Sequence, residues 1–546
     1  MKKYAVLIGG LFLLMNTAFA GGILTKTNQS AQFTRMVSRN ASTDMDAVYY
    51  NPAGIGQMKN GFYFALNNQS LFQSYTTTSG FKFNSEFKGL NNQEYIGEMS
   101  APLFPTAFAV YKKDKWSVSL GFGPNAGGGS ITYDTGLPSF EKPISLLPLS
   151  LSSQGLPTTA YSANLKLKGS SVYWGTQLNG SYSINEVLTV SLGVRMNRAV
   201  NNYNGYIKDI MINPNYAAFG AKYTGAMVPA TEFFADGANV LNFLATSSTA
   251  TSASLTEKIN SGALPAATPL SALPQFEQIK QLLGAAKIDA SNMNVGTAAA
   301  TLSIVAPVFT NNASKLEDNS VNTADRYVDV KQTGLGLTPI VGVNLHFEKL
   351  NIGLKYEYKS FLGLTNHTTQ DFTGFFPDGA KTGGDMPAII AGGADYQVSD
   401  KLKLSGSFTY FLDNKIGWGN NVYGQERTID KNYLELAFGA EYKLTDQFTI
   451  SAGYLNSNAG VSEQYLSDFS YVNDANGVGA GFQWKLSDRL TLDAGAMVIV
   501  YKDQVKNFDK SFDPLATSMG SSYKPYQETY AKDGLSFAFG IAYKIF

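Results

Sequence analysis

The sequence predicts an all-β protein, specifically a transmembrane antiparallel β-barrel of about 14 strands. Three observations predict it: a strand–turn–strand unit recurs, apolar residues occupy every second position, and aromatic residues and glycine are abundant. Of 546 residues, 35 are Phe, 31 are Tyr and 53 are Gly, whereas only 15% are charged. Apolar residues at every second position fit strands that present one face to lipid and the other to water.

The same composition excludes several classes of protein. The chain has 42 Lys and Arg against 42 Asp and Glu, so it lacks the basic excess of a nucleic-acid-binding protein. It has no Cys, which excludes disulfides and cysteine-based metal sites. Beyond residue 20, no apolar run reaches the roughly 18 residues that a membrane-spanning helix needs. We expect no cofactor and no metal ion.

Residues 1–20 form the first predicted element, a secretory signal peptide. Two lysines precede an apolar run, and Ala18-Phe19-Ala20 matches the small-x-small cleavage pattern. The run is too short for a membrane anchor, so we expect export and cleavage. Export without cysteine is typical of a bacterial envelope protein that does not rely on disulfides.

Residues 21–60, the N-terminal segment, precede the first predicted strand and do not follow the strand pattern. The segment is too polar for a membrane strand and too long for the unstructured tail of a compact domain. One interpretation is a plug inside the barrel, where polar wall side chains would satisfy its backbone groups. The other is a mobile periplasmic tail. The residues alone leave both interpretations open.

The barrel is predicted over residues 61–546 from a repeated unit, which is a stronger signal than any single motif. Copies begin at Tyr396, Tyr442 and Trp484, and a looser copy begins at Tyr182. Each contains an aromatic residue, a short polar turn and then strict alternation of apolar and polar residues. An aromatic residue at one constant depth is typical of the interface girdle of a membrane barrel.

Fourteen strands follow from this pattern, joined alternately by short turns and long loops, as in outer-membrane barrels. The strands are predicted near 61–73, 102–112, 115–124, 170–184, 187–210, 326–347, 350–368, 384–398, 401–415, 427–444, 447–461, 474–486, 489–505 and 530–546. The short turns are predicted at 113–114, 185–186, 348–349, 399–400, 445–446 and 487–488. A soluble sandwich would show the same alternation, but a soluble chain of this length would divide into smaller domains.

Residues 213–325 form the longest interruption, a loop expected on the outer side of the membrane. Helical spacing predicts one short helix over 274–288 and another over 233–244. These helices either pack on each other and cap the barrel, or present an apolar groove to a hydrophobic solute. A phenylalanine-rich connection over 369–385 supports the groove. The groove candidates are Phe276, Ile279, Leu282, Leu283, Phe372, Phe375 and Phe376.

The end of the third strand carries a cluster of Gly and Pro. Pro lacks a ladder N–H, and Gly weakens a strand and permits bends, so the cluster can break strand pairing. An ordinary loop boundary would look the same. The candidate residues for a kink in the wall are Gly121, Gly123, Pro124 and Gly127.

Alternation also places charged residues on the face expected to line the lumen. The basic candidates are Arg195, Lys355 and Lys443. They would either contact a solute or pair with the acidic residues on the same face, which are Glu357, Glu435 and Glu441.

Several segments resemble the FadL/TodX family of outer-membrane transporters. They are Asn28-Gln-Ser30, Ser42-Thr-Asp-Met-Asp-Ala-Val-Tyr-Tyr-Asn-Pro-Ala-Gly54, Gly334-Leu-Gly-Leu-Thr-Pro-Ile-Val-Gly-Val-Asn344 and Asp385-Met-Pro387. The Asn51-Pro52-Ala53 triplet carries most of the specificity. The resemblance covers most of the chain except 213–325, and it implies a fourteen-stranded barrel with an N-terminal hatch.

The family resemblance also implies a function and a mechanism. A member would sit in the outer membrane of a Gram-negative bacterium and take up long-chain fatty acids or hydrocarbons passively. The hatch would block the lumen, with Asn51, Pro52, Ala53 and Gly54 as its gating residues. A kink in the third strand would open the wall, so that the solute leaves sideways into the membrane.

The expected partners are therefore hydrophobic small molecules and outer-membrane lipids, with no nucleic acid, and the barrel is expected to be a monomer. An enzyme is not expected, because His346 and His367 lie far apart along the predicted strands and no nucleophile motif accompanies them. Two other functions stay open: a surface receptor or adhesin that uses residues 213–325, and a general porin.

Overall fold

The structure is a computed structural model that describes residues 23–25, 27–82, 93–372, 374, 376–417, 426–513 and 515–546. The predicted signal peptide lies outside these residues. The strands are β1 (Gly61–Ser79), β2 (Gln93–Lys113), β3 (Trp116–Tyr133), β4 (Tyr161–Ser183), β5 (Leu188–Ile212), β6 (Val228–Pro229), β7 (Arg326–His346), β8 (Leu350–Glu357), β9 (Gly363–Asp371), β10 (Lys381–Gly383), β11 (Ile389–Gln397), β12 (Leu402–Phe411), β13 (Tyr433–Lys443), β14 (Phe448–Asn458), β15 (Ala475–Lys485), β16 (Leu490–Tyr501), β17 (Gln504–Phe508) and β18 (Tyr526–Lys544).

These strands form one antiparallel sheet that closes on itself. The first and last strands pair from Tyr63↔Lys544 to Ser79↔Glu528, which removes both free edges. The wall has 14 crossings, because β8 with β9, β10 with β11, and β16 with β17 are interrupted halves of single crossings, and the two-residue β6 lies in a loop. The predicted fold class is confirmed, and the six short turns lie where the repeat predicts them.

The two faces of the wall differ in chemistry. Outward side chains are apolar, and Leu192, Leu335, Phe438 and Val478 are 58–68% exposed. Inward positions of the same strands carry Ser, Asn, Gln and Gly near the short turns, and aromatic or aliphatic residues toward the long loops. An apolar surface that runs around the whole barrel is stable only against lipid.

Eight helices are present in the described residues. They are α1 (Ala31–Arg35), α2 (Ala47–Tyr50), α3 (Pro138–Ser145), α4 (Leu147–Ser153), α5 (Ala230–Asn260), α6 (Phe276–Ala285), α7 (Val295–Asn322) and α8 (Leu515–Met519). None of these helices has the length and apolar character required to cross a membrane.

The long loop, residues 213–325, contains more helix than the sequence predicts. The predicted helix over 274–288 corresponds to α6, but α5 is far longer than expected and α7 was not predicted. Both long helices bury small residues, such as Ala298 and Ser252, against each other. Burial through Ala and Ser gives little apolar periodicity, which explains why the pattern missed it.

Two stretches of chain occupy the lumen. The N-terminal segment fills the half near the short turns, where almost every residue from 27 to 55 is buried. The half near the long loops holds α3 and residues 459–474, which we name the lumen strap. Six consecutive strap side chains, from Leu466 to Tyr471, are at most 5% exposed.

Candidate functional site

A buried ion pair holds the N-terminal segment in shape. The Arg39 guanidinium donates to both carboxylate oxygens of Asp46 at 2.8 Å, and Ser42 donates to the same carboxylate at 2.6 Å. Burial alone would lower the pKa of Arg39, but the charge and hydrogen bonds of Asp46, together with the charges of Asp44 and Glu441, outweigh burial and raise this pKa well above its usual value. The pair therefore remains charged and directional, which gives this polar segment a fixed conformation.

Ion pairs and charge-assisted hydrogen bonds also join the segment to the wall. Arg35 at the end of α1 donates to Asp493 on β16 at 2.8 Å and to Glu441 on β13 at 2.5 Å. Gln32 donates to the second oxygen of Asp493 at 2.9 Å. All four side chains are almost fully buried. Removing one partner would leave a buried charge unpaired, so the cluster fixes the segment strongly.

Inward glycines allow the segment to lie directly against the wall. They are Gly342, Gly353, Gly393, Gly439, Gly453, Gly479, Gly481, Gly495 and Gly540. At Gly479 a Cβ would stand 2.3 Å from the carbonyl oxygen of Thr34, which is closer than any side chain tolerates. The wall is therefore shaped to the backbone of the segment.

The Asn-Pro-Ala-Gly sequence lies at the short-turn end of the lumen. Asn51 accepts from the Ala53 N–H, so it caps the 3₁₀ turn Pro52–Gln57, and it donates to the Val343 carbonyl on β7 at 3.0 Å. Ser181 on β4 donates to the Pro52 carbonyl at 2.8 Å. The motif thus makes one capping bond within the segment and two bonds to the wall, one to β7 and one to β4.

The last residue of this motif has a steric reason to be glycine. A Cβ on Gly54 would stand 2.1 Å from the Ser42 carbonyl oxygen. Ala53 is fully buried beside it. The four predicted gating residues therefore lie together, at the point where the segment enters the barrel.

Two of the three basic lumen candidates clamp a tyrosine of the segment. The Arg195 guanidinium lies 4.6 Å from the centre of the Tyr49 ring, and the Lys355 ammonium donates to the Tyr49 carbonyl at 2.9 Å. Both cations bond Glu357, at 2.6–2.9 Å. The alternative of pairing with wall carboxylates is thus what the structure shows for these two residues. Lys443 is exposed near a short turn.

The wall is interrupted between β2 and β3. Ser100 pairs with Ser130 and Ala107 pairs with Phe122, but within residues 93–133, all of which are described, no pairing joins the stretches between them. We name residues 101–106 and 123–129 the wall gap. On its other side, β3 bulges against β4 at Asn125 and again at position 128. Pro in both stretches removes ladder donors, and the glycines of 123–129 permit the bend.

The wall gap lies at the level of the lipid-facing surface. Leu103 beside it is 76% exposed, and Phe122 stacks outside the barrel on Trp174 at 5.4 Å. All four predicted kink residues lie in or directly beside the gap: Gly121, Gly123, Pro124 and Gly127. An opening here would join the lumen to the membrane interior rather than to water.

The N-terminal segment closes the wall gap from inside. Thr25 forms an isolated bridge with Ala126, and the Gly127 N–H donates to the Leu24 carbonyl at 3.3 Å. Gln29 donates its side-chain amide to the Pro124 carbonyl at 2.9 Å. The backbone groups that strand pairing leaves free on β3 are thus satisfied by the segment.

Behind this seal lies a cavity of about 260 Å³, including its open mouth. It is lined by Gln29, Val48, Tyr49, Phe108, Gly121, Phe122, Gly123, Asn125, Gly175, Gln177 and Arg195. The enclosed part of this space is about 10 Å³, which is room for roughly one water molecule. The cavity is therefore too small to hold a solute in this structure.

Solved structures of other proteins share this architecture. No family model and no curated protein matches the chain. Among solved structures, a FadL homologue from Pseudomonas aeruginosa aligns over 96% of this chain and 100% of that chain, with 14% identity and a TM-score of 0.56. This chain has a FadL/TodX-type fold. The toluene transporter TodX of Pseudomonas putida aligns over 96% of this chain and 100% of that chain, with 11% identity and a TM-score of 0.50.

In this FadL/TodX-type barrel, the predicted groove residues do not line a groove. Ile279, Leu282 and Leu283 are at most 4% exposed in a core between α5, α6 and α7, with Phe276 packed against its edge. The helices pack on each other, which was the alternative to the groove. The loop helices bury most of their apolar residues against each other. At the start of α5, Phe233 and Phe234 instead join the cluster that contains Ile210 and Ile212 of β5.

The described phenylalanines of the 369–385 connection do not form one exposed surface either. Phe376 is buried and stacks on Tyr203 of β5 at 5.5 Å, whereas Phe372 lies near the Arg326 guanidinium. Phe375 lies outside the described residues. Phe376 therefore belongs to the apolar packing of the outer lumen and not to an exposed surface.

The lumen strap was missed by the sequence analysis. Phe469 packs on Phe140 of α3 at 5.4 Å, and Tyr471 packs on Tyr530 of β18 at 5.0 Å. The Asp468 carboxylate accepts from the Ser139 N–H at 2.7 Å. A run of buried aromatic residues between two strands was the available signal, but its lack of alternation made it look like an ordinary loop.

Among the described residues, no group of three or more His, Asp or Glu side chains is arranged to hold a metal ion. Some buried charges of the lumen join the N-terminal segment to the wall, such as Arg35 with Asp493, and others pair within the wall, such as Arg195 with Glu357.

Proposed function

We propose that this protein is an outer-membrane conduit for the passive uptake of hydrophobic molecules, either long-chain fatty acids or hydrocarbons. The observation that carries the proposal is the wall gap, which faces lipid and is closed by the N-terminal segment. A solute that enters from the outer side would leave sideways through this gap when the segment shifts. The segment would thus act as the hatch.

The driving force would be removal of apolar surface from water, about 0.8 kcal/mol for each methylene group. A lateral exit suits such a solute, because it never has to cross the polar, charged half of the lumen. The FadL homologue and the toluene transporter TodX, which share this fold, support the same class of cargo. A general porin is disfavoured, because both halves of the lumen are filled.

Deleting Asn125 together with Gly128 would test the exit. These are the two bulged residues of β3, so their loss should let β3 pair with β4 without a bulge and should shorten its side of the wall gap, residues 123–129, from seven residues to five. We expect the barrel to fold and uptake of radiolabelled oleate and toluene by whole cells to fall to background. Deleting Asp209, at a bulge between β4 and β5 far from the gap, is the matched control. Full uptake by the double deletion would contradict lateral exit.

A further inference from the structure

Lys532 differs from three other buried cations of the lumen, Arg195, Lys355 and Lys142. It points inward from β18 in the outer half and is 3% exposed. Arg195 and Lys355 pair with Glu357, and Lys142 of α3 pairs with Glu528. Among the described residues, by contrast, no carboxylate lies within ion-pair distance of the Lys532 ammonium.

The surroundings of Lys532 come largely from the lumen strap. Its ammonium donates to the Tyr471 carbonyl at 2.6 Å and lies 4.6 Å from the centre of the Tyr471 ring. Tyr75 of β1 supplies a second ring, at 4.7 Å. A buried ammonium is stable only when hydrogen bonds or aromatic faces replace its water, and here one strap residue supplies both.

Displacing the strap therefore exposes a cation in an aromatic box. A solute that crosses the outer half must move the strap, since Phe469 and Tyr471 fill that space. Lys532 then loses its acceptor while it remains at the level of the apolar wall. A carboxylate would replace the lost carbonyl with a stronger, charge-assisted bond, and the attached chain would replace the aromatic side chains.

We propose that Lys532 is a specificity-determining residue that selects carboxylated amphiphiles over neutral hydrocarbons. The proposal rests on the conduit function and names the class of cargo. A carboxylate gains this bond only when the strap is displaced, so it shifts the population toward the open state. A neutral chain of the same length has no such differential affinity and opens the strap less readily.

Binding of oleate and of oleyl alcohol to the purified full-length protein in nanodiscs tests this inference. The two probes share one chain and differ in the headgroup. We expect the wild type to bind oleate about tenfold more tightly or better, since hydrogen bonds to charged groups are the strong ones. Lys532→Met should remove this preference, and Lys532→Arg should retain most of it. Lys331→Met, at an exposed lysine of β7, is the control.

A second readout does not require the Lys532 variants to fold. The chain has no cysteine, so Gln464→Cys on the exposed side of the strap accepts one spin label. Oleate should mobilise this label at concentrations where oleyl alcohol does not. Equal binding of both probes by the wild type, or a preference that survives in Lys532→Met, would overturn the role of Lys532 and leave the conduit standing. Binding of neither probe would instead contradict the conduit.

Discussion

The two halves of the lumen are closed by different chemistry. Near the short turns, the N-terminal segment is held by ion pairs and by bonds to wall carbonyls, such as Arg35 with Asp493. Near the long loops, the lumen strap is held by aromatic packing, such as Phe469 on Phe140, and by hydrogen bonds that wall lysines donate to its backbone carbonyls, such as Lys532 to Tyr471. Directional bonds seal a polar channel against water, whereas an apolar filling can be exchanged for an apolar solute.

Under the proposed function, this difference gives the halves different tasks. A hydrophobic molecule would take the place of the apolar filling in the outer half. The ion-paired inner half would stop it from continuing. Between the two lies the wall gap, the one lipid-facing interruption between β2 and β3.

The largest effect is expected from a change that prevents the N-terminal segment from closing the inner half of the lumen. Gly479→Leu places a side chain where the Thr34 carbonyl oxygen now lies, so the N-terminal segment cannot dock. The barrel should become permeable to sugars, measured by liposome swelling. Gly180→Leu, at an exposed glycine with open space around its Cα, should leave the barrel closed. A Gly479→Leu protein that excludes sugars would show that the outer half closes the lumen alone.

A smaller effect follows from removing one charge of the inner closure. Arg35→Ala leaves Asp493 buried without its cation, whereas Glu441 keeps its ion pair with Lys403. The unpaired Asp493 should weaken docking of the segment by about 3–5 kcal/mol. Hydrogen exchange of the segment amides should accelerate accordingly. Lys222→Ala, which breaks an exposed pair with Glu232 in the long loop, should change stability by less than about 1 kcal/mol. Unchanged exchange in Arg35→Ala would refute the charged attachment.

The Asn-Pro-Ala-Gly motif should contribute less than the ion pairs. Asn51→Ala removes a helix cap and a bond to Val343, together about 1–2 kcal/mol. We expect lower oleate uptake with a normally inserted barrel, because the hatch is no longer coupled to the wall. Uptake at the wild-type level in a folded Asn51→Ala protein would rule out a gating role for the motif.

The smallest expected effect is a pH dependence of the free energy with which the lumen strap docks in the outer half of the lumen. Burial, with the nearby charge of Glu528, raises the pKa of Asp468 to about 6. Because this pKa is above that of a solvent-exposed carboxyl, the docked strap binds an extra proton as the pH falls through 6. Docking should therefore strengthen by about 1 kcal/mol from pH 7 to pH 5. The mobility of the label at position 464 measures it, and Asp468→Asn should abolish the dependence. A strap that loosens in acid would reverse the sign and refute the assignment.

The wall was predictable because its signals are local. Period-two alternation and the aromatic residue before each short turn placed the strands, and Pro124 with its neighbouring glycines marked the wall gap. The ends of strands near the long loops were less predictable, as with β2, which begins at Gln93 rather than near 102. Beyond the membrane the outward face turns polar, so alternation fades while pairing continues.

The contents of the lumen were only partly predictable. Asn51 and Gly54 stood out as a motif, but Arg35 with its partners on β13 and β16 depends on contacts more than 400 residues apart. Such pairs leave no local pattern. Inward glycines at Gly479 and Gly481 were visible on the polar face of a strand, and they could have indicated that another piece of chain lies against that face.

A reversible disulfide across the wall gap tests the central claim most directly. Thr25 and Ala126 face each other in an antiparallel bridge, a spacing that a disulfide can join, and the chain has no other cysteine. Thr25→Cys with Ala126→Cys should abolish oleate and toluene uptake when oxidised and restore it when reduced. Asn215→Cys with Thr224→Cys, an equivalent bridge in the long loop, should have no effect in either state. Equal uptake by the oxidised and reduced forms of the gap variant would contradict exit through the wall.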